Sequence, residues 1–165
     1  MATIYSDQLT RSRAGRLNPA NQQAGKVRIQ MWDFATIPAG NIADVYVLFK
    51  LEKDERVILG REFHTALSSG GATATGSIGT YFVGADGLTL GAVDSAARFL
   101  AAITMDAAGQ NFFGDLQALL PGIGGAAGGV LYDNPLVDTF VVIVNSVEAF
   151  AAAGRLTGWA LITKD

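Results

Sequence analysis

The strongest constraint on the fold is a two-residue rhythm of apolar side chains. In residues 26–31 (KVRIQM), Val27, Ile29 and Met31 alternate with Arg28 and Gln30. In residues 44–52, Val45, Val47, Phe49 and Leu51 alternate with Asp44, Tyr46, Lys50 and Glu52. Successive side chains of a strand point to opposite faces, so each segment reads as a strand with one buried face, Val27, Ile29 and Met31 inward. Pro38 and Gly40 in the intervening IPAGN supply a turn, and the two strands are expected to form an antiparallel hairpin. A charged turn, LEKDER, then leads into a strand at residues 57–59.

Further along, residues 72–82 (ATATGSIGTYF) alternate small hydroxyl residues with apolar or small ones. The threonines favour a strand, and Gly76 and Gly79 suggest a bulge or close packing. Residues 139–144 (TFVVIV) are β-branched and apolar on both faces, and residues 155–163 (RLTGWALIT) follow after the turn signal of FAAAGR; both read as central strands. In the middle, Asp94 or Ser95 can cap a short helix over residues 96–104, where Phe99, Leu100 and Ile103 form an apolar stripe at helical spacing. Six to eight short strands with frequent turn signals point to an all-β fold, a β-sandwich or jelly roll with one short helix and an extended N-terminal arm.

Charge divides the chain in two. Residues 1–28 hold Arg11, Arg13, Arg16, Lys26 and Arg28 against Asp7 alone, a balance of +4, whereas the remainder carries −7. A polar, basic stretch without periodicity cannot bury enough apolar area to offset its ordering entropy. Residues 1–26 are therefore expected to be an arm, and residues 27–165 one domain. The start lacks the apolar core of a secretory signal. No run reaches the roughly 20 apolar residues of a spanning helix, so synthesis in the cytoplasm is expected.

Candidate chemistry is sparse. The chain has no cysteine and one histidine, which excludes disulfides, thiolate nucleophiles and Cys- or His-rich metal centres; no metal or cofactor is expected. Gly71 and Gly76 stand at the P-loop interval, but Ser77 and Ile78 occupy the Lys and Ser/Thr places. The run at 122–128 (GIGGAAG) leaves no room for the helix that a pyrophosphate needs. His64, beside Arg61 and Glu62 in REFHTA, is an imaginable general base but reads as a surface histidine at a strand end. Asp86, Asp94, Asp106, Asp115, Asp133 and Asp138 sit in settings typical of turns and caps, and none falls in a calcium-loop pattern. The uncharged residues 116–132, with five glycines, read as a surface loop or partner contact rather than a membrane insert. Trp32 and Trp159 read as core or interface anchors.

The patches ATIYSDQLT, ATGSIGTYF, AARFLAAITMDAAGQNFFG and TFVVIVNSVEAFAAAGRLTGWALITKD, in that order, resemble small structural proteins of tailed-bacteriophage heads. The resemblance covers residues 70–165 best. It implies a non-enzymatic decoration or cement protein at the capsid surface of a virion, partnered by the major capsid protein and by further copies of itself, with a trimer as the guess. On this reading the arm docks on shell subunits, Arg11, Arg13 and Arg16 pairing acidic groups while Tyr5 and Leu9 fill apolar pockets. Nucleic acid is not expected as a partner, because the body is acidic and lacks basic residues interleaved with aromatics. Two other readings stay open. One is a carbohydrate- or host-receptor-binding sandwich using Tyr46, Tyr81 and Tyr132; the other is a hydrolase using paired aspartates, while a head–tail or tail component remains a variant of the virion reading.

Overall fold

The structure is a computed structural model that describes residues 3–5, 27–37, 41–67, 73–114, 137–147, 150 and 154–164. Among them it has no helix and nine strands: β1 (Thr3–Tyr5), β2 (Val27–Phe34), β3 (Val45–Leu51), β4 (Glu55–His64), β5 (Thr75–Val83), β6 (Leu90–Thr104), β7 (Gly109–Phe113), β8 (Thr139–Asn145) and β9 (Leu156–Lys164). Sheet A has the order β1-β3-β8-β5-β6 and sheet B the order β2-β9-β4-β7. All pairings are antiparallel except β1 with β3, where Thr3, Ile4 and Tyr5 lie opposite Val45, Tyr46 and Val47 in parallel. The sandwich and the central placement of TFVVIV and RLTGWALIT follow the alternation and branching of the sequence. The first becomes β8, flanked by β3 and β5, and the second becomes β9, flanked by β2 and β4.

One core fills the space between the sheets. Trp32, Phe34, Val57, Phe113, Leu156, Ala160 and Ile162 come to it from sheet B, and Tyr46, Leu48, Ile78, Leu100, Val141 and Ile143 from sheet A. Trp32 stacks on Phe49 with ring centroids 5.4 Å apart and lies 6.0 Å from Phe113, which in turn packs 5.6 Å from Phe99. Glycine makes this stack possible at two points. A Cβ on Gly158 would overlap the Trp32 ring, and one on Gly60 would overlap the ring of Phe113. A second cluster, Val45, Val47, Tyr81, Phe140 and Val142, occupies the opposite face of sheet A. Both faces of β3 and β8 are thus apolar, which is why β8 reads as a continuous apolar run rather than an alternation.

Four expectations are corrected. The short helix over residues 96–104 is instead part of β6, fifteen residues long. Phe99, Leu100 and Ile103 are all buried, as a helical stripe would be, but they reach the core because β5 and β6 pair with several register shifts and Ala102 takes φ 53°. Bulges let neighbouring residues share a face, and this imitates helical spacing. The proposed β2–β3 hairpin does not form: β2 pairs with β9 in sheet B, while β3 pairs with β8 in sheet A.

The third correction concerns Tyr46, read as outward, which is fully buried against Phe34 and Phe150. The fourth is that β2 is turned over: Val27, Ile29 and Met31 are about half exposed (49%, 48% and 49%), whereas Gln30, Trp32 and Phe34 are buried. An aromatic side chain buries some 150–250 Å². Turning Trp32 and Phe34 inward therefore outweighs burying a Val, an Ile and a Met of an edge strand. The inward Arg28 is satisfied by Glu55, with Nε to Oε1 at 2.8 Å and Nη2 to Oε2 at 2.6 Å, and by the Lys50 carbonyl at 3.3 Å.

Burial, with the Asp44 carboxylate second, pushes the Tyr46 phenol from 10.0 up to about 12. Because the folded value lies above the unfolded one, the neutral phenol favours the fold. That stability is intact below about pH 10 and is lost as pH rises toward about 12. Tyr46→Phe is expected to raise the midpoint of alkaline unfolding followed by circular dichroism; an unchanged midpoint would show that Tyr46 does not govern it.

Candidate functional site

The acidic residues behave as the sequence suggested for turns. Asp86 Oδ1 accepts from the Leu88 and Thr89 amides and the Thr89 hydroxyl at 2.8–2.9 Å, which holds its carboxyl down at about 2. Asp106 accepts from the Ala74 amide at 2.6 Å. Asp138 accepts from the Lys53 amide at 2.9 Å and pairs with Lys50 at 2.6 Å, and the Lys50 contact leads in lowering its pKa. Asp94 caps no helix; it accepts from the Thr80 hydroxyl at 2.8 Å and pairs with Arg98 at 3.0 Å. Asp115, Asp133 and the runs at 116–132 and 122–128 lie outside the described residues, as does Gly71.

His64 ends β4 as expected but is buried rather than at the surface. Residues 60, 62 and 64 alternate onto the core-facing side of β4, where Glu62 is fully buried and His64 6% exposed. The His64 Nδ1 lies 2.7 Å from Glu62 Oε1, and Asn111 Nδ2 on β7 donates to Glu62 Oε2 at 2.9 Å. The Asn111–Glu62 bond ties β4 to β7 at the margin of the core. Among the described residues, no three His, Cys, Asp or Glu side chains gather where they could hold a metal ion. Of the three tyrosines considered for a glycan platform, Tyr46 is in the core, Tyr81 is 8% exposed, and Tyr132 lies outside the described residues.

The surface with unusual chemistry is the outer face of sheet B. The half-exposed Val27, Ile29 and Met31 of β2 stand opposite Thr163, Leu161 and Trp159 of β9. Those residues stand in turn beside Arg56, Leu59 and Arg61 of β4, and Arg61 pairs with Phe112 of β7. The Arg61 guanidinium lies 4.6 Å from the centroid of Phe63 and 4.8 Å from that of Phe112, and its Nη2 donates to Gln110. Rings on two adjacent strands thereby engage one cation, in a cation–π arrangement. At the rim of this face Arg155 pairs with Asp33 at 3.0 Å.

Of the arm residues singled out from the sequence, Tyr5 lies in β1 with its backbone opposite Val47. Leu9, Arg11, Arg13 and Arg16 lie outside the described residues. The Arg61 face was not singled out, although RLTGWALIT carries its signal: Thr157, Trp159, Leu161 and Thr163 alternate with Leu156, Gly158, Ala160 and Ile162. Trp159 and Leu161 in the outward set put apolar side chains on both faces of the strand.

The fold and face thus define an all-β sandwich with one apolar, cation-centred outer surface. The same architecture occurs in virus shells. The chain is similar to one in the capsid of Ralstonia phage GP4, with a TM-score of 0.70 and 19% identity over 99% of each chain. It is also similar to one in the capsid asymmetric unit of cyanophage Pam1, with a TM-score of 0.54 and 17% identity over 90% of this chain and 91% of that one. No protein-family model and no curated protein sequence matches the chain. At these identities the likeness is one of fold.

Proposed function

We propose that this protein is a non-enzymatic structural component of a bacteriophage virion, a decoration or cement protein that binds the major capsid protein and stabilises the head. The observation that carries this reading is the correspondence, end to end in both chains, with a component of the GP4 capsid. A shared core alone would leave large parts of one chain unmatched. The burial of Glu62 and His64 is in keeping with the same reading, since the Glu62 carboxylate is engaged by His64 and by Asn111 of β7. The arm of residues 1–26 supplies the second contact. Its Arg11, Arg13 and Arg16 meet acidic groups of the shell, Tyr5 and Leu9 meet apolar pockets, and copies of the protein associate around the shell's symmetry axes, with a trimer as the simplest ring.

The test is co-sedimentation with purified expanded shells that lack the protein. Wild type is expected to saturate the shells at a fixed copy ratio. Changing Arg11, Arg13 and Arg16 together to Glu should weaken binding at least tenfold, because attraction becomes repulsion at three positions. Changing only those three leaves the β1–β3 pairing in place. Wild type that ignores shells would end the reading, and full binding by the triple variant would remove the arm from it.

A further inference from the structure

We propose that the outer face of sheet B is a docking surface for a protein partner that presents a carboxylate framed by apolar side chains, with Arg61 as the group that receives it. The inference rests on the virion reading, under which that partner is the exterior of the head shell.

Three observations carry it. First, β2 shows Val27, Ile29 and Met31 to solvent at about half exposure, continuous with Trp159 and Leu161 on the neighbouring strand. Contiguous apolar surface of this kind on a soluble domain marks an interaction site. Second, Arg61 is already oriented. Its guanidinium lies against the Phe63 and Phe112 rings, and its described hydrogen-bond partner is the neutral Gln110. Among the described residues no carboxylate pairs with it, in contrast to Arg28, Arg98 and Arg155. A guanidinium held against two rings has lost much of its rotamer freedom before binding, so a carboxylate arriving in its plane can take two hydrogen bonds at little further entropy cost. Trp and Arg are also the residue types that most often dominate binding energy at interfaces.

Third, the charge of the face selects among occupants. Arg61 lies on it with no carboxylate partner among the described residues, and the rim carboxylate Asp33 is held by Arg155. Two copies packed through this face would bring guanidinium groups together, a like-charge juxtaposition that disfavours self-docking. A surface bearing carboxylates matches it. Four strands spaced about 4.8 Å apart and about 26 Å long offer roughly 500 Å², using the usual strand spacing and rise. A standard stable interface takes roughly 800 Å² from each partner. The face therefore completes a contact to which the arm contributes as well, and both engage one shell at once.

The same shell co-sedimentation assay tests this with Arg61→Glu, Met31→Asp and the conservative Arg61→Lys, each first shown to melt within a few degrees of wild type. Arg61→Glu and Met31→Asp should each weaken binding tenfold or more, while Arg61→Lys loses less because charge is kept and only the planar fork is lost. Wild-type binding with both disruptive variants unimpaired would overturn the docking face and leave the virion reading standing. Wild type that fails to bind shells would sink the virion reading first. If light scattering instead showed Arg61→Glu turning an oligomer into a monomer with shell binding intact, the face would be a contact between copies and the proposal would fall. Should Met31→Asp fold poorly, Ile29→Ser, on the same exposed side of β2, replaces it.

Discussion

Glu62→Ala is expected to destabilise the fold by about 3–5 kcal/mol, the range for removing one member of a buried, hydrogen-bonded pair. The carboxylate is fully buried and is the acceptor for both His64 Nδ1 and Asn111 Nδ2. Alanine strands two donors at the β4–β7 junction and leaves a void beside them, and each unmade bond of a buried polar group costs about 1–3 kcal/mol. Chemical denaturation monitored by intrinsic fluorescence provides the measurement. The sharper comparison is the triple change of Glu62, His64 and Asn111 to Leu, which removes donors and acceptor together. It should be less destabilising than Glu62→Ala alone, because no polar group is orphaned. A triple variant weaker than the single one would show that shape rather than polarity sets the cost.

Trp32→Ala is the second large effect, about 3–5 kcal/mol, as for other buried aromatic truncations. Trp32 is 1% exposed, stacks on Phe49, approaches Phe113 and rests on Gly158, so its loss empties the junction between the sheets. For a chain of this size the melting temperature should fall by roughly 10 °C or more. Met31→Ala, one residue earlier but 49% exposed, serves as the control and should change stability by no more than about 0.5 kcal/mol. A larger loss at position 31 than at 32 would mean that β2 faces the other way.

That pair of substitutions also shows where sequence reading stops. Alternation identifies β2 as a strand but is symmetric with respect to its faces: KVRIQM alone favours Val27, Ile29 and Met31 as the buried set. Carrying the same alternation two steps further, to Trp32 and Phe34, reveals the competing set, and its larger apolar area wins. The polar members of that set are harder to foresee, because Arg28 is tolerable inside only through Glu55, twenty-seven residues away. His64 and Glu62 are alike in this respect. Their i, i+2 spacing places them on one face of a strand, but only Asn111 on a different strand makes burial of that face affordable.

The β6 segment fails for a local reason. Alanines at 96, 97, 101 and 102 fit a helix by intrinsic preference, a bias worth only tenths of a kcal/mol per residue against its competitors. Pairing with β5 along most of its length outweighs it, and the register shifts needed for that pairing are not written in any local pattern. The Arg61 face was hidden similarly, since Arg61, Phe112 and Trp159 come from three strands and meet only through cross-strand register.

By itself, then, the sequence determined an all-β architecture, the central strands β8 and β9, the absence of thiol chemistry and the role of the described Asp86, Asp106 and Asp138 as turn and loop braces. Each follows from residue type or short-range periodicity. The tertiary structure alone decided which face of β2 is buried, that β2 and β3 belong to different sheets, that residues 96–104 are strand, and that Arg61 lies over the ring of Phe112 on β7. Each of those is set by partners distant in the chain, whose combined burial and hydrogen bonding exceed any local preference.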